Sequence, residues 1–350
     1  VFDFYAKQSV AFADVMPRPA LLTSYPGLDG GQQGHWGNQN DAVTWKDGRW
    51  GASDLGNLFS GVLRVDGMTV TKAVWVRKDD EAAAFDPEKL SFRARWRGGF
   101  VKLSSARHGF ASGPAVGGKT FAQEKNPVLP KDARYLGFYR HGEEVIFAYE
   151  QEGRRRLMSA WQTDEAILEK LTQGGPKRWS KELTTPITRG EQKPFAVDTI
   201  GVPFENPYGA LFFISGIDFL PDGAAAVSTM TGEVWLVQGL AGDRAVWRRY
   251  ATGLHQALGV KVVDGKVHVL GRDQITRLHD LNGDGEADYH ECLFNRYATS
   301  PGGHDFVVGL ERDDTGRFYV ASGNQGLLRL TLPDKVEVLA TGLRNPNGVG

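Results

Sequence analysis

The sequence has little cysteine, little net charge and no long apolar run. Cys292 is the only cysteine among 350 residues, so neither an internal disulfide nor a Cys-x-x-Cys metal or redox pair can form. The Cys-x-x-Cys-His motif that attaches a c-type haem is absent as well, so any haem lies outside this chain. A formal net charge of −1 gives no general attraction to nucleic acid or to an anionic membrane surface. No apolar run reaches the length of a transmembrane helix, so we expect no transmembrane segment.

Several catalytic signatures are also missing. The chain has no P-loop, no Gly-x-Ser-x-Gly elbow, no dinucleotide-type Gly-x-Gly-x-x-Gly after a strand, and no basic groove with interleaved aromatics. Kinase-like, NAD-dependent and nucleic-acid-binding roles are therefore disfavoured. The chain begins with Val1, which is consistent with a processed protein whose signal peptide has been removed or with a trimmed expression product. Cys292 itself is predicted to be a small buried apolar residue on a strand.

Glycine and aromatic residues are plentiful instead. The chain contains 44 glycines, 19 phenylalanines and nine tryptophans, a composition that favours an all-β protein with many tight turns. Residues 1–174 are predicted to form a β-rich, sandwich-like domain, because short segments with period-two alternation follow one another from about residue 55. Within it we expect a short helix over 1–17, an ordered Gly- and Trp-rich loop over 27–50, and one helix that opens at Thr163. Residues 175–207, rich in Pro, Lys and Thr, read as a linker.

A repeat begins after residue 208. Three segments share a plan in which a glycine-containing first strand, a DG or DTG turn, a second strand, a glycine and a third strand follow in order. The glycines that open successive units are 39 to 50 residues apart, at Gly216, Gly259, Gly309 and Gly348. The tetrapeptide ATGL also recurs, at 251–254 and 340–343. A unit of this length built from four short antiparallel strands is a β-propeller blade.

Residues 208–350 are therefore predicted to hold three blades and the beginning of a fourth. A propeller closes with four to eight blades, so we expect the natural chain to continue beyond Gly350 and the ring to be six-bladed when complete. The predicted fold class is mainly β, with an N-terminal sandwich-like domain followed by part of a propeller.

The segment DLNGDGEADYHE, residues 280–291, has the spacing of an EF-hand calcium loop. Oxygen-bearing side chains alternate along it, a glycine stands at the sixth position, and a glutamate that can bind bidentately stands at the twelfth. The flanking segments read as strands rather than helices, which makes Glu291 the weakest of the ligands. The alternative is an Asx-stabilised hairpin turn without a metal. The predicted calcium ligands are Asp280, Asn282, Asp284, Glu286, Asp288 and Glu291.

Three short motifs near the C-terminal end of the chain carry polar residues at blade starts and turns. His304 follows two glycines just before a first strand, where a ligand could approach it, so it is a candidate general base. Gln325 lies in GNQG, and Arg344 and Asn345 lie in LRNPNG. On spacing alone, each motif is also explained by ordinary loop or turn chemistry.

Taken together, GGHDFVVGL, GRFYVASGNQG and ATGLRNPNGVG resemble the propellers of glucose/sorbosone dehydrogenases that use pyrroloquinoline quinone (PQQ). The resemblance implies that His304 is the catalytic base and that Gln325, Arg344 and Asn345 contact the quinone. Over most of the chain, the segments FDFYAKQ, GLDGGQQGHWGNQND and LGVKVVDGKVHVLGRDQITRLHDLNGDGEAD resemble PVC-type membrane-bound dehydrogenases, also described as haem-binding propeller proteins. That group implies a c-type cytochrome domain or protein as the electron acceptor.

The implied reaction is oxidation of a sugar or alcohol in the periplasm or outside the cell. His304 would take the hydroxyl proton, Arg344 would stabilise negative charge on the quinone oxygen, and the two amides would orient the ring. Three positions depart from the dehydrogenase pattern: Asn347 replaces a glutamine, Asn324 replaces an aspartate, and Gly303 replaces an acidic neighbour of the base. The 280–291 loop lies on an earlier blade and is not the calcium site of the cofactor.

Three functions are consistent with these observations. The first is the quinone-dependent dehydrogenase, an oxidoreductase that requires PQQ and calcium. The second is a non-catalytic propeller that binds carbohydrate or a protein partner, with recognition supplied by the N-terminal sandwich. The third is a calcium-dependent lactonase-type propeller.

Overall fold

A computed structural model of the protein describes residues 49–103, 114–191, 196–302 and 305–350. The helix predicted over 1–17 and nearly all of the loop predicted over 27–50 lie outside these ranges. The described chain is mainly β, with two short helices, α1 (Arg49–Ala52) and α2 (Glu165–Lys170). Within the described ranges, no helix has both the length and the apolar character needed to cross a bilayer.

A five-stranded antiparallel sheet opens the structure. Its order is β1-β2-β3-β4-β7, and a separate two-stranded ribbon, β5 with β6, lies beside it. The first two strands match the predicted segments closely, because their apolar residues alternate between the two faces of the sheet. The strands are β1 (Leu58–Val65), β2 (Met68–Lys78), β3 (Glu81–Asp86), β4 (Ser91–Arg97), β5 (Val101–Lys102), β6 (Ala115–Val116) and β7 (Lys119–Gln123).

Both faces of this sheet are buried. On one face, Trp75 and Trp96 meet edge to face with ring centroids 5.3 Å apart. On the other face, Phe85 stacks on Phe147, with ring centroids 4.0 Å apart. Phe147 belongs to a second layer formed by β8 (Ala133–His141), β9 (Glu144–Gln151) and β10 (Arg154–Ser159). Two sheets that share one apolar core form the sandwich that the alternation predicts.

The cap of the helix that follows lies one residue later than predicted. Asp164, rather than Thr163, caps α2, because its side chain accepts a hydrogen bond from the backbone N–H of Ala166 at 2.9 Å. Threonine and aspartate both cap helices, so residue type alone does not decide between Thr163 and Asp164. A single 3-10 turn, residues 171–173, continues the helix into Gly174.

The segment predicted as a linker contributes strands. β11 (Leu183–Thr188) and β12 (Thr199–Ile200) extend the outer edge of the sheet that forms the first propeller blade, residues 214–251. Inward residues of β11 alternate with exposed ones, and Thr185 and Ile187 are buried. Its Pro186 is compatible with strand structure near the edge of a sheet, which explains how a Pro- and Thr-rich segment can pair.

Three four-stranded antiparallel blades follow, as the repeat predicts, with their strands adjacent in sequence order. The first blade comprises β13 (Ile214–Phe219), β14 (Ala225–Thr229), β15 (Val234–Gln238) and β16 (Arg244–Ala251). The second comprises β17 (Gly259–Val263), β18 (Lys266–Leu270), β19 (Ile275–His279) and β20 (Tyr289–Phe294). The third comprises β21 (Val307–Arg312), β22 (Phe318–Ser322), β23 (Gly326–Thr331) and β24 (Lys335–Ala340).

Gly216 and Gly259, which open two of the repeat units, lie where the first strands of neighbouring blades touch, and Gly309 lies against the backbone at 348–349. A Cβ atom added to Gly216 would lie 2.9 Å from the backbone nitrogen of Val260, and one added to Gly309 would lie 2.5 Å from that of Val349. Real Cβ atoms are not found this close to backbone atoms, so only glycine permits the approach. The repeat spacing of glycine therefore reflects the contact between blades.

The sandwich and the second blade share hydrogen bonds. β8 pairs with β20, so one seven-stranded sheet runs from β10 through β8 and β20 to β17. Cys292, on β20, is buried in the core of the sandwich, and this burial raises the pKa of its thiol well above the ordinary value. The N-terminal sandwich and the second blade are therefore joined by strand pairing within one sheet.

Candidate functional site

The register of the third blade brings the C-terminal motifs to one end of its sheet. Val307 pairs with Ser322, Ser322 pairs with Gly326, and Leu327 pairs with Ala340. The loop before β21, the turn between β22 and β23, and the segment after β24 therefore leave the sheet at the same end. We call this end of the blades the motif end.

Gln325 joins two of these segments. Its side-chain Oε1 accepts a hydrogen bond from the backbone N–H of Ala298 at 2.8 Å, and its backbone N–H donates to Ser322 Oγ at 3.2 Å. Ala298 lies in the connection from β20 to β21, the connection that contains His304. Among the described residues, no partner takes a hydrogen bond from the Gln325 side-chain amide nitrogen, so this donor can serve a ligand.

Arg344 and Asn345 extend beyond the sheet at the motif end. Both residues are exposed, and neither side chain makes a hydrogen bond or an ion pair to a described residue. Asn345 has a φ of 47°, in the left-handed region that asparagine enters more readily than most residues. His304, the predicted base, lies outside the described residues, between Gly302 and Asp305.

The connection that leads to His304 is held by cationic side chains from two other parts of the fold. Lys72, buried on β2 of the sandwich, donates from Nζ to the carbonyl oxygens of Asn295 at 2.7 Å and Tyr297 at 2.9 Å. Arg272, fully buried between β18 and β19, donates to the carbonyl oxygens of Ser300 at 3.0 Å and Gly302 at 2.6 Å. Charged donors of this kind make strong hydrogen bonds, so the described part of this connection is held in one conformation.

Sequence reasoning missed a second polar group at the motif end. ATGLHQALGV, residues 251–260, and ATGLRNPNGVG, residues 340–350, occupy equivalent places at and after the ends of the last strands of the first and third blades. His255 corresponds to Arg344, and Gln256 corresponds to Asn345, with which it shares a φ of 47°. The recurrence of ATGL, extended by a few residues, would have identified His255 and Gln256.

His255, Arg272 and Asp305 leave buried polar atoms without partners at this end. His255 Nδ1, Arg272 Nε and Asp305 Oδ1 are buried and make no hydrogen bond. Burial and the charge of Arg272 lower the pKa of His255 well below its ordinary value, so the imidazole is neutral at pH 7. Burial also raises the pKa of the neighbouring Asp273 to about 7. Perturbed ionisable groups and unpartnered polar atoms gather at sites that bind a ligand or ordered water.

Side chains of the predicted calcium loop accept hydrogen bonds from the backbone of the same loop. The carboxylate of Asp280 accepts hydrogen bonds from the N–H groups of Gly283 at 2.6 Å, Asp284 at 3.2 Å and Gly285 at 2.8 Å. Asn282 Oδ1 accepts from the N–H of Asp284 at 3.0 Å, and Asp284 Oδ1 accepts from that of Glu286 at 2.9 Å. This is the Asx-stabilised arrangement that the sequence leaves as the alternative to calcium.

Two further members of the loop bind the chain segment that precedes the first blade. Glu286 Oε2 accepts from the N–H groups of Arg178 at 2.9 Å and Trp179 at 2.8 Å, and its other oxygen pairs with the buried Arg140. Asp288 Oδ1 accepts from the N–H of Gly175 at 2.7 Å. The loop therefore fastens residues 175–179 to the second blade.

Glu291 turns away from the other predicted ligands. Its carboxylate lies 2.7 Å from Arg277 Nη2 and 2.6 Å from His279 Nε2. Burial opposes ionisation of Glu291, but the hydrogen bonds from His279 and Arg277 outweigh it and lower the pKa. In the described part of the chain, no group of three or more His, Cys, Asp or Glu residues is arranged to hold a metal ion. Calcium at 280–291 stays a prediction.

One family model matches part of the sandwich. The family is described as a domain of unknown function (DUF6797), and the match covers residues 83–157, from within β3 to within β10. This range includes strands from both sheets of the sandwich and none of the blades. No curated protein matches the sequence.

Solved structures resemble the chain only remotely. The β-propeller domain of Cps50 (Swd1) from Myceliophteria thermophila is 13% identical, with a TM-score of 0.30, and the match covers 76% of this chain and 81% of that one. Virginiamycin B lyase from Staphylococcus aureus is 12% identical, with a TM-score of 0.27, over 80% of this chain and 69% of the lyase. AztD from Citrobacter koseri is 12% identical, with a TM-score of 0.27, over 81% and 82%. Because scores this low carry no argument, the identification of three β-propeller blades depends on the strands and glycine contacts described above.

Proposed function

We propose that the protein is a quinone-dependent dehydrogenase of the periplasm or cell exterior, related to the PVC-type membrane-bound dehydrogenases. It would bind PQQ at the motif end of its blades and oxidise a small sugar or alcohol. The electrons would pass to a c-type cytochrome domain or protein. The observation that carries the proposal is the register of the third blade, which sends the segments around His304, Gln325 and Arg344 from the same end of one sheet.

The donors present at the motif end fit an acceptor-rich group. PQQ offers carboxylates and quinone oxygens as hydrogen-bond acceptors. When bound, it would serve as the acceptor for the hydride and electrons of the substrate. Arg344 presents a guanidinium that makes no ion pair with a described residue, and Gln325 presents an amide nitrogen with no described acceptor. These groups would bind and orient a planar anion, and Arg344 would stabilise negative charge on it.

The hydrogen bonds that Lys72 and Arg272 donate to the chain before His304 support a role for this histidine as a base. A general base must stay within hydrogen-bond reach of the proton that it removes, which requires a held backbone. Lys72 and Arg272 bind the chain up to Gly302, two residues before the proposed base. The role of His304 comes from the family resemblance, and these contacts make it physically reasonable.

The test is to add PQQ and calcium to the protein and to measure both PQQ absorbance and dye reduction with aldoses and alcohols. We expect Arg344→Ala to weaken PQQ binding and His304→Ala to abolish dye reduction while PQQ binding remains. Arg317→Gln is the matched control, because Arg317 pairs with Asp313 at the other end of the same blade. An unchanged PQQ spectrum together with no dye reduction would overturn the proposal.

One observation favours a second function, a non-catalytic propeller that binds carbohydrate or a protein. The side-chain oxygen of Gln325 is already occupied by Ala298, and Arg344 is exposed, as in an open binding surface. Glycan binding that persists in His304→Ala, without any dye reduction by the wild-type protein, would support this function over the dehydrogenase.

A further inference from the structure

A cavity of about 300 Å³ lies between the second and third blades, at the end opposite the motif end. Turns and strand ends from both blades form its wall: the β17–β18 turn and β19 on one side, and the ends of β21 and β23 on the other. Its polar lining includes Lys266, His268, Arg277 and Arg312, and its apolar lining includes Leu293 and Phe318. The proposed dehydrogenase site uses none of these residues.

Positive charge dominates the polar lining. Three cationic side chains face one carboxylate, that of Asp264. Arg277 forms an ion pair with Glu291, with Nη2 2.7 Å from Oε2. In contrast, Arg312 and Lys266 form no ion pair with any described carboxylate within 4.0 Å. Two cationic groups at one cavity without anionic partners favour an anion in it.

His268 adds a buried acceptor to this cavity. The side chain is only 3% exposed, and its Nδ1 lies 2.9 Å from the carbonyl oxygen of Lys266. Burial, with the charges of Arg277 and Arg312, lowers the pKa of His268 to about 4, so the ring is neutral at pH 7. Nδ1 then donates to the carbonyl, and Nε2 keeps a lone pair with no partner among the described residues.

We propose that this cavity is a binding site for a small organic anion, a carboxylate or phosphate attached to a compact apolar body. Arg312 and Lys266 bind the anionic group, and Phe318 and Leu293 contact the apolar part. The Nε2 atom of His268 accepts a hydrogen bond from a hydroxyl group of the ligand or from a bound water. The cavity volume accommodates a ligand about the size of a substituted benzene ring.

The experiment is a titration of histidine-labelled protein with benzoate, phenyl phosphate and inorganic phosphate, followed by the NMR signals of the imidazole rings. The His268 signals are assigned from the spectrum of His268→Gln. We expect benzoate or phenyl phosphate to shift the His268 signals saturably, and benzyl alcohol, which lacks the charge, to leave them unchanged. The relative affinities of benzoate and phenyl phosphate identify the preferred anionic group.

Variants separate a built site from general attraction to a basic surface. Arg312→Gln should weaken binding by about tenfold or more, the usual consequence of losing a charged hydrogen bond to an anion. Arg244→Gln, at an exposed position on β16 of the first blade, should bind as the wild type does. Unfolding curves establish that both variants are folded. Absence of saturable His268 shifts, or equal weakening in the two variants, would overturn the proposal, and neither result depends on PQQ or dye reduction.

Discussion

A Cβ atom added to Gly259 would lie 3.1 Å from the carbonyl carbon of Gly309, so the first strands of the second and third blades touch backbone to backbone. The same contact joins Gly216 to Val260, and Gly309 meets the backbone of Val349, beyond the last strand of the third blade. Each blade is thereby positioned by its neighbour, and the loops at the ends of the blades are brought side by side. The close packing at these glycines therefore sets how near the blades lie to each other, both at the motif end and at the cavity on the opposite end.

Gly259→Ala is expected to lower the free energy of unfolding by about 1 to 3 kcal/mol, the range for forcing an extra carbon into a packed contact. The strain arises from packing, because the added Cβ would meet backbone atoms of the next blade. Gly242→Ala is the control, since the nearest atom to its Cβ is 3.5 Å away. Urea unfolding measures both, and an equal change in the two variants would contradict the role of Gly259.

Glu286→Ala should be strongly destabilising, by about 3 to 5 kcal/mol, because it leaves the guanidinium of Arg140 buried without its partner. The side chains are 2% and 8% exposed, and Glu286 also accepts two backbone hydrogen bonds. The control is Glu182→Ala in the exposed pair with Arg248, where a change within about 1 kcal/mol is expected. Similar losses in denaturant midpoint for the two variants would contradict the structural role of Glu286.

Asp280→Ala should destabilise the protein by about 1 to 2 kcal/mol even in EDTA, because its carboxylate accepts three backbone hydrogen bonds within the loop. Unfolding temperatures of the wild type and the variant, each with EDTA and with calcium, separate this role from metal binding. Calcium stabilisation of the wild type that the variant lacks would support the sequence prediction of a calcium site. A variant as stable as the wild type in EDTA would contradict the hydrogen-bonding role.

His290 should make the protein sensitive to acid. Its ring is 1% exposed and stacks on Phe138, with centroids 4.6 Å apart. Burial, with the charge of Arg140, lowers its pKa to about 3, whereas an unfolded chain titrates at about 6.5. The unfolded state therefore binds more protons between these values, and the contribution of His290 to stability is lost as the pH falls from about 6.5 towards 3.

His290→Phe removes this titration and keeps an aromatic ring against Phe138. Between pH 6 and pH 5, we expect the wild type to lose about 1.2 kcal/mol more stability than the variant. Urea unfolding at pH 7, 6 and 5 measures the difference. Parallel pH profiles for the two proteins would show that His290 does not contribute to the acid sensitivity.

The β-rich sandwich and the blades could be predicted because their signals are local. Period-two alternation identifies β1 and β2, and the spacing of Gly216, Gly259 and Gly309 identifies the blades. The predicted site stays a prediction, although the turn that holds Gln325 and the segment that holds Arg344 leave the sheet at the same end. His255 was missed, because a single histidine in a loop carries no signal until its equivalence with Arg344 is noticed.

The sequence by itself determined the β-rich character of the chain and where each blade begins, because strand alternation and close glycine contacts depend on short patterns along the chain. It did not determine that β11 and β12 form within the predicted linker. Only the tertiary structure decided that β8 joins β20, that residues 280–288 fasten residues 175–179, and that His268 shares a cavity with Arg312. These contacts join residues far apart in sequence. Their geometry depends on how whole sheets pack, which no local periodicity specifies.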